Sequence, residues 1–487
     1  MALGAFAVIS GLAVAAGNGN PLVAVAPVLA VVGGLILFHA PLRTTVLGVL
    51  FLVMVVDYLP EGPQSGLWQS PLFPIAMALF LNLSATTGIG FLRFPGLDVL
   101  LLLLLALAIY RRATGSKIDP PATPSVRVLN HLLFLSWLTL MIWEGYGVSQ
   151  GGDFNESLWQ IRQLLLFPLM TFLFLQAFSG TVAEFKLVAK VFIVAAVFKS
   201  IIGIYFLYFI VRPMGVVVEF TTSHSDTLMF VPLLAMQIAL LFERPSLSNW
   251  KRAGLWVPIV VWGMIANDRR LAYVSLAGSF MCIFLMNPWK GPKRSVARTL
   301  LLASPLIIAY VAAGWNSRNP VFGGAQLVKS LIKGDQAQAG ADYRDIENFD
   351  LLATWSNNKF MGTGFGHKFE EPVKLPDISF AMPTYQYHPH DSILWLWGIL
   401  GIFGFSGIFA PIVGGVFVAA RAYHKSTNVY DRVMAMTAIC MVITHINQCF
   451  GDMGTRTYFG SLLTGLCLAL ASKLAMRVGA WPRKKPL

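Results

Sequence analysis

Val99-Leu100-Leu101-Leu102-Leu103-Leu104-Leu105-Ala106-Leu107-Ala108-Ile109 is an unbroken apolar run. It has no polar face to turn to water, and its place is the interior of a membrane. Similar stretches recur over roughly 96–110, 128–143, 160–178, 189–211, 226–242, 253–267, 271–286, 299–314, 392–420, 433–448 and 458–476. Four more apolar segments, 3–16, 21–38, 44–58 and 72–90, precede them. At about 20 residues per span plus short loops, 487 residues hold about 12 to 14 helices. The expected fold is all-α, a polytopic transmembrane helix bundle.

The composition agrees. Hydrophobic residues make up 56% and charged residues 12%, where a soluble domain averages about 25% charged, and the mean hydropathy is +0.67. A water-soluble enzyme, a disordered chain and a disulfide scaffold are excluded. The net charge of +13 does not point to nucleic acid, because the cations sit in short clusters between apolar runs. Arg111, Arg112, Lys117 and Arg127 form the first cluster, and Arg244, Lys251 and Arg252 the second. Lys290, Lys293, Arg294 and Arg298 follow, then Arg421, Lys425 and Arg432, and finally Lys473, Arg477, Arg483, Lys484 and Lys485. Every second loop is basic, which places these loops and the C-terminus on the cytoplasmic side. Residues 3–16 read as a membrane segment, with no basic n-region before them. Arg43, Asp57, Glu61 and Arg93 are too few to orient the first four segments. The amino terminus lies outside if all four cross and inside, the preferred reading, if one is re-entrant. Cys282, Cys440, Cys449 and Cys467 all fall in or beside apolar segments, where a free thiol acts as a small hydrophobe.

The same alternation puts 315–391 outside, as a loop subdomain between an N-terminal bundle (1–314) and C-terminal membrane helices (392–487). Seven cations and nine anions occupy Trp315 to Asp391, and so long a loop signals a function. Ile346, Phe349, Leu352 and Trp355 recur at helical spacing, predicting an amphipathic helix over 343–360 that lays those residues on the bundle. Met361-Gly362-Thr363-Gly364-Phe365-Gly366 then ends it.

Ionisable groups at the outer rim are candidate functional groups. His388-Pro389-His390-Asp391-Ser392 opens a span. A histidine titrates near neutral pH and can take a proton from a hydroxyl, or it can serve as an interfacial anchor. Asn267-Asp268-Arg269-Arg270 lies on the outer face, where paired arginines run against the usual charge bias. They suit a phosphate, or Asp268 pairs with one of them in a tight turn. Arg212 precedes Glu219-Phe220-Thr221-Thr222-Ser223-His224-Ser225, and is a ligand or a snorkelling helix end. Arg344 stands near Glu347 and Asp350, and with Glu347 three residues on, a helical salt bridge is the simple reading. Arg318 and the loop Gly451-Asp452-Met453-Gly454-Thr455-Arg456 are weaker candidates. There is no Walker loop, dinucleotide fingerprint, nucleophile elbow, CxxC pair or His-Glu-x-x-His helix, so ATP-driven pumping is excluded and no protein-ligated metal is signalled. Several arginines with one or two histidines make a site for a phosphate-bearing substrate and a proton transfer.

Tyr343-Arg344…Trp355…Gly362-Thr363-Gly364-Phe365-Gly366, followed by His390-Asp391-Ser392-Ile393-Leu394 and Gly398…Gly401…Gly404, resembles the signature of the O-antigen ligase and polymerase superfamily, GT-C-like integral membrane enzymes. Asp268-Arg269-Arg270 resembles its Ser-Arg-small motif, and Arg212 with Thr221-Thr222-Ser223-His224 its upstream arginine and Gly-Thr-Phe region. The likeness spans roughly residues 130 to 475. Asp391 stands where the family has Asn or Ser, and a carboxylate beside His390 would raise its pKa. Asp268 stands where the family has Ser. Spacing to Leu394 and Gly401 favours His390 over His388 as the family's histidine.

The resemblance implies an inner-membrane glycosyltransferase with its site facing the periplasm. Its donor would be a glycan on undecaprenyl pyrophosphate, its acceptor a saccharide hydroxyl or lipid A-core, with inversion and no metal or other cofactor. Its partners are membrane lipids and a chain-length regulator protein, not nucleic acid. In that reading His390, or His388, is the base. Arg269 or Arg270 and Arg212 hold the pyrophosphate, Arg344 clamps the loop, and His224 and Asp391 line the substrate. An O-antigen or exopolysaccharide polymerase is slightly preferred to a ligase. From another class, a polyprenyl-linked glycan or anion transporter would carry charges at midplane and paired repeats, neither of which the sequence displays.

Overall fold

The computed structural model describes residues 8, 11, 12, 15, 31–56, 72–87, 94–216, 218, 220–317, 320–322, 324–326, 328, 329, 339–379 and 384–482. Most of segments 3–16 and 21–38 lie outside the described residues, as do Asp57, Glu61, Arg93, Glu219, Arg318 and the basic tail Arg483-Lys484-Lys485.

The protein is an all-helical, polytopic membrane bundle. Eight described helices are long and apolar enough to span a membrane. In chain order the main elements are α1 (Leu42–Val55), α2 (Gly96–Ala113), α3 (Arg127–Ser149), α4 (Phe154–Ala177), α5 (Val182–Tyr205), α6 (Thr227–Glu243) and α7 (Leu247–Ala266). After them come α8 (Arg270–Met286), α9 (Gly291–Gly314), α10 (Ala339–Asn357), α11 (Ser392–Lys425), α12 (Val429–Gly451) and α13 (Tyr458–Arg477). The boundaries of α3 to α9 and α11 to α13 enclose or closely match the apolar runs of the sequence. Helices dominate because every backbone N–H and C=O within an apolar slab must find its partner inside the chain.

α13 runs through the centre, buried along almost its whole length against α4, α11 and α12. Gly465 lets α13 approach Thr171 of α4, where a Cβ would come within 2.7 Å of the Thr171 hydroxyl. α9 is the opposite case: Leu301, Leu302 and Leu306 are each about three-quarters exposed, an apolar surface suited to lipid.

Consecutive spans alternate in direction, so their connections gather at two ends. One end is braced by the basic clusters. Arg477 reaches Gly180 and Asp431, Arg432 bridges to Glu243 at 2.8 Å, and Arg112 donates to the Gln176 carbonyl. The connections 150–153, 267–269 and 452–457 share the other end with the described residues between α5 and α6 and between α9 and α11.

At that second end α11 is broken. Gly401 adopts φ 56°, ψ −171°, which ends one helical segment and starts another. The freed backbone groups are taken up by the glycine turn after α10. Thr363 and Gly364 donate their N–H groups to the carbonyls of Gly398 (3.1 Å) and Ile399 (2.8 Å). In return, Ile402 and Phe403 donate to the carbonyls of Lys359 (2.9 Å) and Phe360 (3.3 Å). Gly362, Gly364 and Gly366 all have positive φ (70°, 82° and 82°), a region open mainly to glycine. The turn also docks on the α3–α4 corner: Gly366 donates to Gln160 Oε1 at 2.6 Å, and Asp153 donates to the Gly366 carbonyl.

α10 is present, but its inward face differs from the expected one. Tyr343, Glu347, Asp350, Leu351 and Thr354 are buried, whereas Phe349 and Leu352 are 54% and 43% exposed. Ile346 is half-buried, and Trp355 packs on Trp397 of α11. Polar residues win the inward face because each has a partner there. Thr354 accepts from the Glu370 N–H (2.8 Å), Asp350 accepts from the Val373 N–H (3.1 Å), and Glu347 meets His390.

A Cβ on Gly362 would lie 2.2 Å from the Ile399 carbonyl oxygen, while one on Gly254 of α7 would touch nothing within 4 Å. Gly362→Ala is therefore expected to lower the thermal midpoint of the detergent-solubilised protein by several degrees, with about 1–2 kcal/mol from the left-handed backbone alone before the clash. Gly254→Ala is expected to match the wild type.

Candidate active site

The second end carries two histidine–carboxylate pairs. The first joins α10 to the start of α11. His390 donates its backbone N–H to Glu347 Oε2 at 3.0 Å, and its Nδ1 lies 3.1 and 3.2 Å from Oε1 and Oε2. The Glu347 side chain is 1% exposed and the His390 ring 25% exposed. An acceptor-only carboxylate at Nδ1 favours the tautomer with its proton there, which leaves Nε2 as the ring's acceptor. Tyr343 packs edge-on against the ring, with centroids 5.8 Å apart. The carboxylate beside the imidazole is thus Glu347, not the neighbouring Asp391. Asp391 caps α11 instead, its Oδ1 accepting from the N–H groups of Ile393 (2.9 Å) and Leu394 (3.0 Å), the arrangement that satisfies a helix N-terminus. Burial raises the Asp391 pKa, against the lowering by those two hydrogen bonds.

His388 has a different environment. It is 2% exposed, its Nδ1 lies 3.3 Å from the Thr384 hydroxyl, and its ring packs against Trp395. Burial first, and the charges of Arg456 and Arg162 with it, hold its pKa well below the ordinary 6.5.

The second pair joins the α5–α6, α7–α8 and α12–α13 connections. His224 Nδ1 meets Asp452 Oδ2 at hydrogen-bond distance. Arg269 Nη2 donates to the same oxygen at 2.8 Å, and Gln448 Nε2 lies 3.4 Å away. Burial works to raise the Asp452 pKa, but its hydrogen bond to His224 and the charges of His224, Arg269 and Arg344 hold it below the usual value. Asn267 organises these loops: its Oδ1 accepts from the N–H groups of Thr221 (3.1 Å) and Thr222 (3.0 Å), and its Nδ2 donates to the Ser223 carbonyl. Next to it, Asp268 is the one described non-glycine residue with positive φ, at 47°, a strained conformation of the kind that gathers at functional sites. Burial raises the Asp268 carboxyl pKa, while Arg270 and Arg269 pull it down.

Arg344 links the two pairs. It does not turn back along α10 to Glu347 as an i,i+3 bridge would, because Glu347 faces His390. Arg344 Nη1 donates to the Gly451 carbonyl at 3.3 Å, next to Asp452. Arg212, where the continuation of α5 ends, lies over the Tyr208 ring (4.2 Å to the centroid). It shares with Tyr208, Phe220, Trp262 and Asp268 a cavity of about 290 Å³. Phe220 closes that cavity towards Arg269 and stacks edge-on to His224, with centroids 4.2 Å apart. Arg270 opens α8 with an exposed side chain.

Arg212, His224, Arg269, Arg344 and His390 therefore fall in one connected rim. Glu347, read from the sequence as a salt-bridge partner of Arg344, Asp452, in a loop read as a weaker candidate, and Asn267, in the Asn267–Arg270 motif, hold that rim together. The signal for them was their position: polar residues at connections that all meet at the same end. Among the described residues no cluster of His, Cys, Asp and Glu is arranged to hold a metal.

Residues 254–409 match the family model described as O-antigen ligase. Over that stretch the chain is similar to the O-antigen ligase family. The matched segment runs from α7 into α11 and includes Arg269, Arg270, Arg344, Glu347 and His390, while Arg212, His224 and Asp452 lie outside it. No curated protein matches the chain. The fold and the family match together support a membrane enzyme of the O-antigen ligase or polymerase type.

The buried, neutral state of His388 has a pH signature. Its folded pKa is depressed, so the unfolded chain binds the extra proton. The stability this gives is present above the unfolded value near 6.5 and is lost as pH falls towards the folded one. Melting of wild type and His388→Phe at pH 8 and pH 5.5 is expected to show a smaller acid-side loss in the variant. Equal losses would mean that His388 is protonated in the fold.

Proposed function

We propose that the enzyme moves a glycan from undecaprenyl pyrophosphate to a saccharide hydroxyl, with inversion and without a metal, at the periplasmic face of the bacterial inner membrane. The observation that carries this reading is the Glu347-held His390 on the same rim as Arg269, Arg344 and Arg212. A basic imidazole and a cluster of guanidinium groups are what an alcohol acceptor and a diphosphate leaving group require.

Transfer breaks the bond between the sugar C1 and the diphosphate oxygen as the acceptor oxygen bonds to C1 from the opposite face. Charge then develops on the departing diphosphate. Guanidinium groups fixed before reaction stabilise that charge without reorganising. His390 Nε2 takes the acceptor proton, and buried Glu347 stabilises the imidazolium that forms. Arg212 shares a cavity with Phe220 and Arg269 lies over the Phe220 ring, so both guanidinium groups border that ring and can serve one diphosphate. Arg344 brings α10, and with it Glu347, to the loop that holds Asp452. The basic clusters at the opposite end support a cytoplasmic C-terminus and a periplasmic site.

The acceptor is another glycan repeat in a polymerase or lipid A-core in a ligase. Asp391 works as an N-cap, a role that Asn and Ser fill equally well, so its departure from the family pattern does not separate these acceptors. Supplying each acceptor to the purified enzyme does. A chain-length regulator is the protein partner that a polymerase would take.

The test is conversion of lipid-linked glycan to glycosidic product by the purified protein in detergent or nanodiscs. Wild type is expected to form product of inverted anomeric configuration in the presence of a chelator. His390→Ala should lose about 10²–10⁴-fold in turnover while still inserting in the membrane, and Glu347→Gln should fall between them. Movement of the lipid without bond formation, or full activity in His390→Ala, would overturn the proposal.

A further inference from the structure

The His224–Asp452 pair has the geometry of an acid–base dyad, but deprotonation of the acceptor at His390 leaves it without a task. Asp452 is 7% exposed, and its Oδ2 is shared between the His224 Nδ1 and Arg269 Nη2. The His224 ring is fixed on a second side by Phe220 at 4.2 Å, yet its side chain keeps 19% of its surface accessible. Ser223, which precedes the 3₁₀ turn His224–Asp226, caps that turn by accepting from the Ser225 N–H at 3.2 Å. Ring, carboxylate and backbone are therefore all set in place, with the ring and Arg269 sharing one Asp452 oxygen.

The charged groups around His224 come from every element packed on it. Asp452 belongs to the α12–α13 connection, Arg269 to the α7–α8 turn, Arg344 to α10 with its charge near Asp452, and Asp226 to the 3₁₀ turn of His224 itself. Asp452 faces both Arg269 and Arg344, and the two guanidinium groups are what a diphosphate would meet.

We infer that His224, held by Asp452, is the acid that protonates the departing diphosphate. The inference rests on the reaction proposed above. As the C1–O bond breaks, its electron pair stays on the diphosphate oxygen, and the Nε2 proton of the His224 imidazolium passes to the diphosphate. In the same event the acceptor hydroxyl bonds to C1 and gives its proton to His390 Nε2. His390 then releases that proton to water and His224 takes one back, so one hydroxyl proton has become one diphosphate proton. The two histidines thus act on opposite sides of the sugar: His390–Glu347 on the incoming oxygen, His224–Asp452 on the outgoing one. The diphosphate oxygens are too weakly basic to hold the proton before the bond breaks, which is why the acid acts late and adds to kcat rather than to binding.

The experiment is the pH dependence of kcat and the donor KM for wild type, His224→Gln and Asp452→Asn, with the polyprenyl-diphosphate glycan as donor. An acid must be protonated to work, so wild-type kcat should fall on the alkaline side. His224→Gln should lower kcat at least 10-fold, change KM less than 3-fold and lose the alkaline limb. Asp452→Asn, which removes the carboxylate favouring the imidazolium, should shift that limb to lower pH, and retained donor KM shows that the rim is folded. A rise in KM at unchanged kcat would make His224 a binding residue only, and an unchanged alkaline limb in His224→Gln would assign the limb elsewhere; either overturns the inference. Absence of transfer by the wild type would instead overturn the reaction on which it rests.

Discussion

A helix may break inside an apolar environment only where other groups take up the backbone donors and acceptors that it frees. In this protein that condition is met at Gly401, where the segment 359–364 exchanges four backbone hydrogen bonds with the two halves of α11. The exchange fixes the distance between α10 and the start of α11, and so brings Glu347 to His390. It also ties the loop to Gly147, Gly152 and Asp153 at the α3–α4 corner, where any Cβ on the glycines would strike backbone. The glycine-rich segment is thus a backbone joint that positions the side chains to which the proposed reaction assigns the chemistry.

Around this joint the rim divides its charge. One carboxylate, Glu347, serves one imidazole and is almost wholly buried. The other, Asp452, is outnumbered by the cations about it. In the proposed reaction the first arrangement holds the base in place, and the second offers guanidinium groups to an anion. Both depend on connections far apart in sequence, Arg269 and Asp452 being 183 residues apart, and only the alternating course of the spans brings them together.

The spans were legible from the sequence because length and apolarity suffice to define them, and the two-ended distribution of charge followed from the basic clusters. Arg212, His224, Arg269, Arg344 and His390 were legible too, as ionisable groups next to apolar runs. The inward face of α10 was not. Periodicity placed Phe349 and Leu352 inside, but hydropathy does not register that Glu347, Asp350 and Thr354 each find a partner there. The role of Asp391 was missed for a similar reason: proximity in sequence suggested the imidazole, while an N-terminal turn offered two N–H groups. Glu347 and Asp452 lacked a local signature, since their partners lie 43 and 228 residues away.

The central claim is that a diphosphate and a basic imidazole share one rim. A structure of the enzyme with a bound polyprenyl diphosphate glycan tests it directly. The account predicts the phosphates between Arg212 and Arg269, with the first sugar carbon turned towards His390 Nε2. Phosphates at the opposite, lysine- and arginine-rich end, or a sugar carbon screened from His390 by α10, would contradict it.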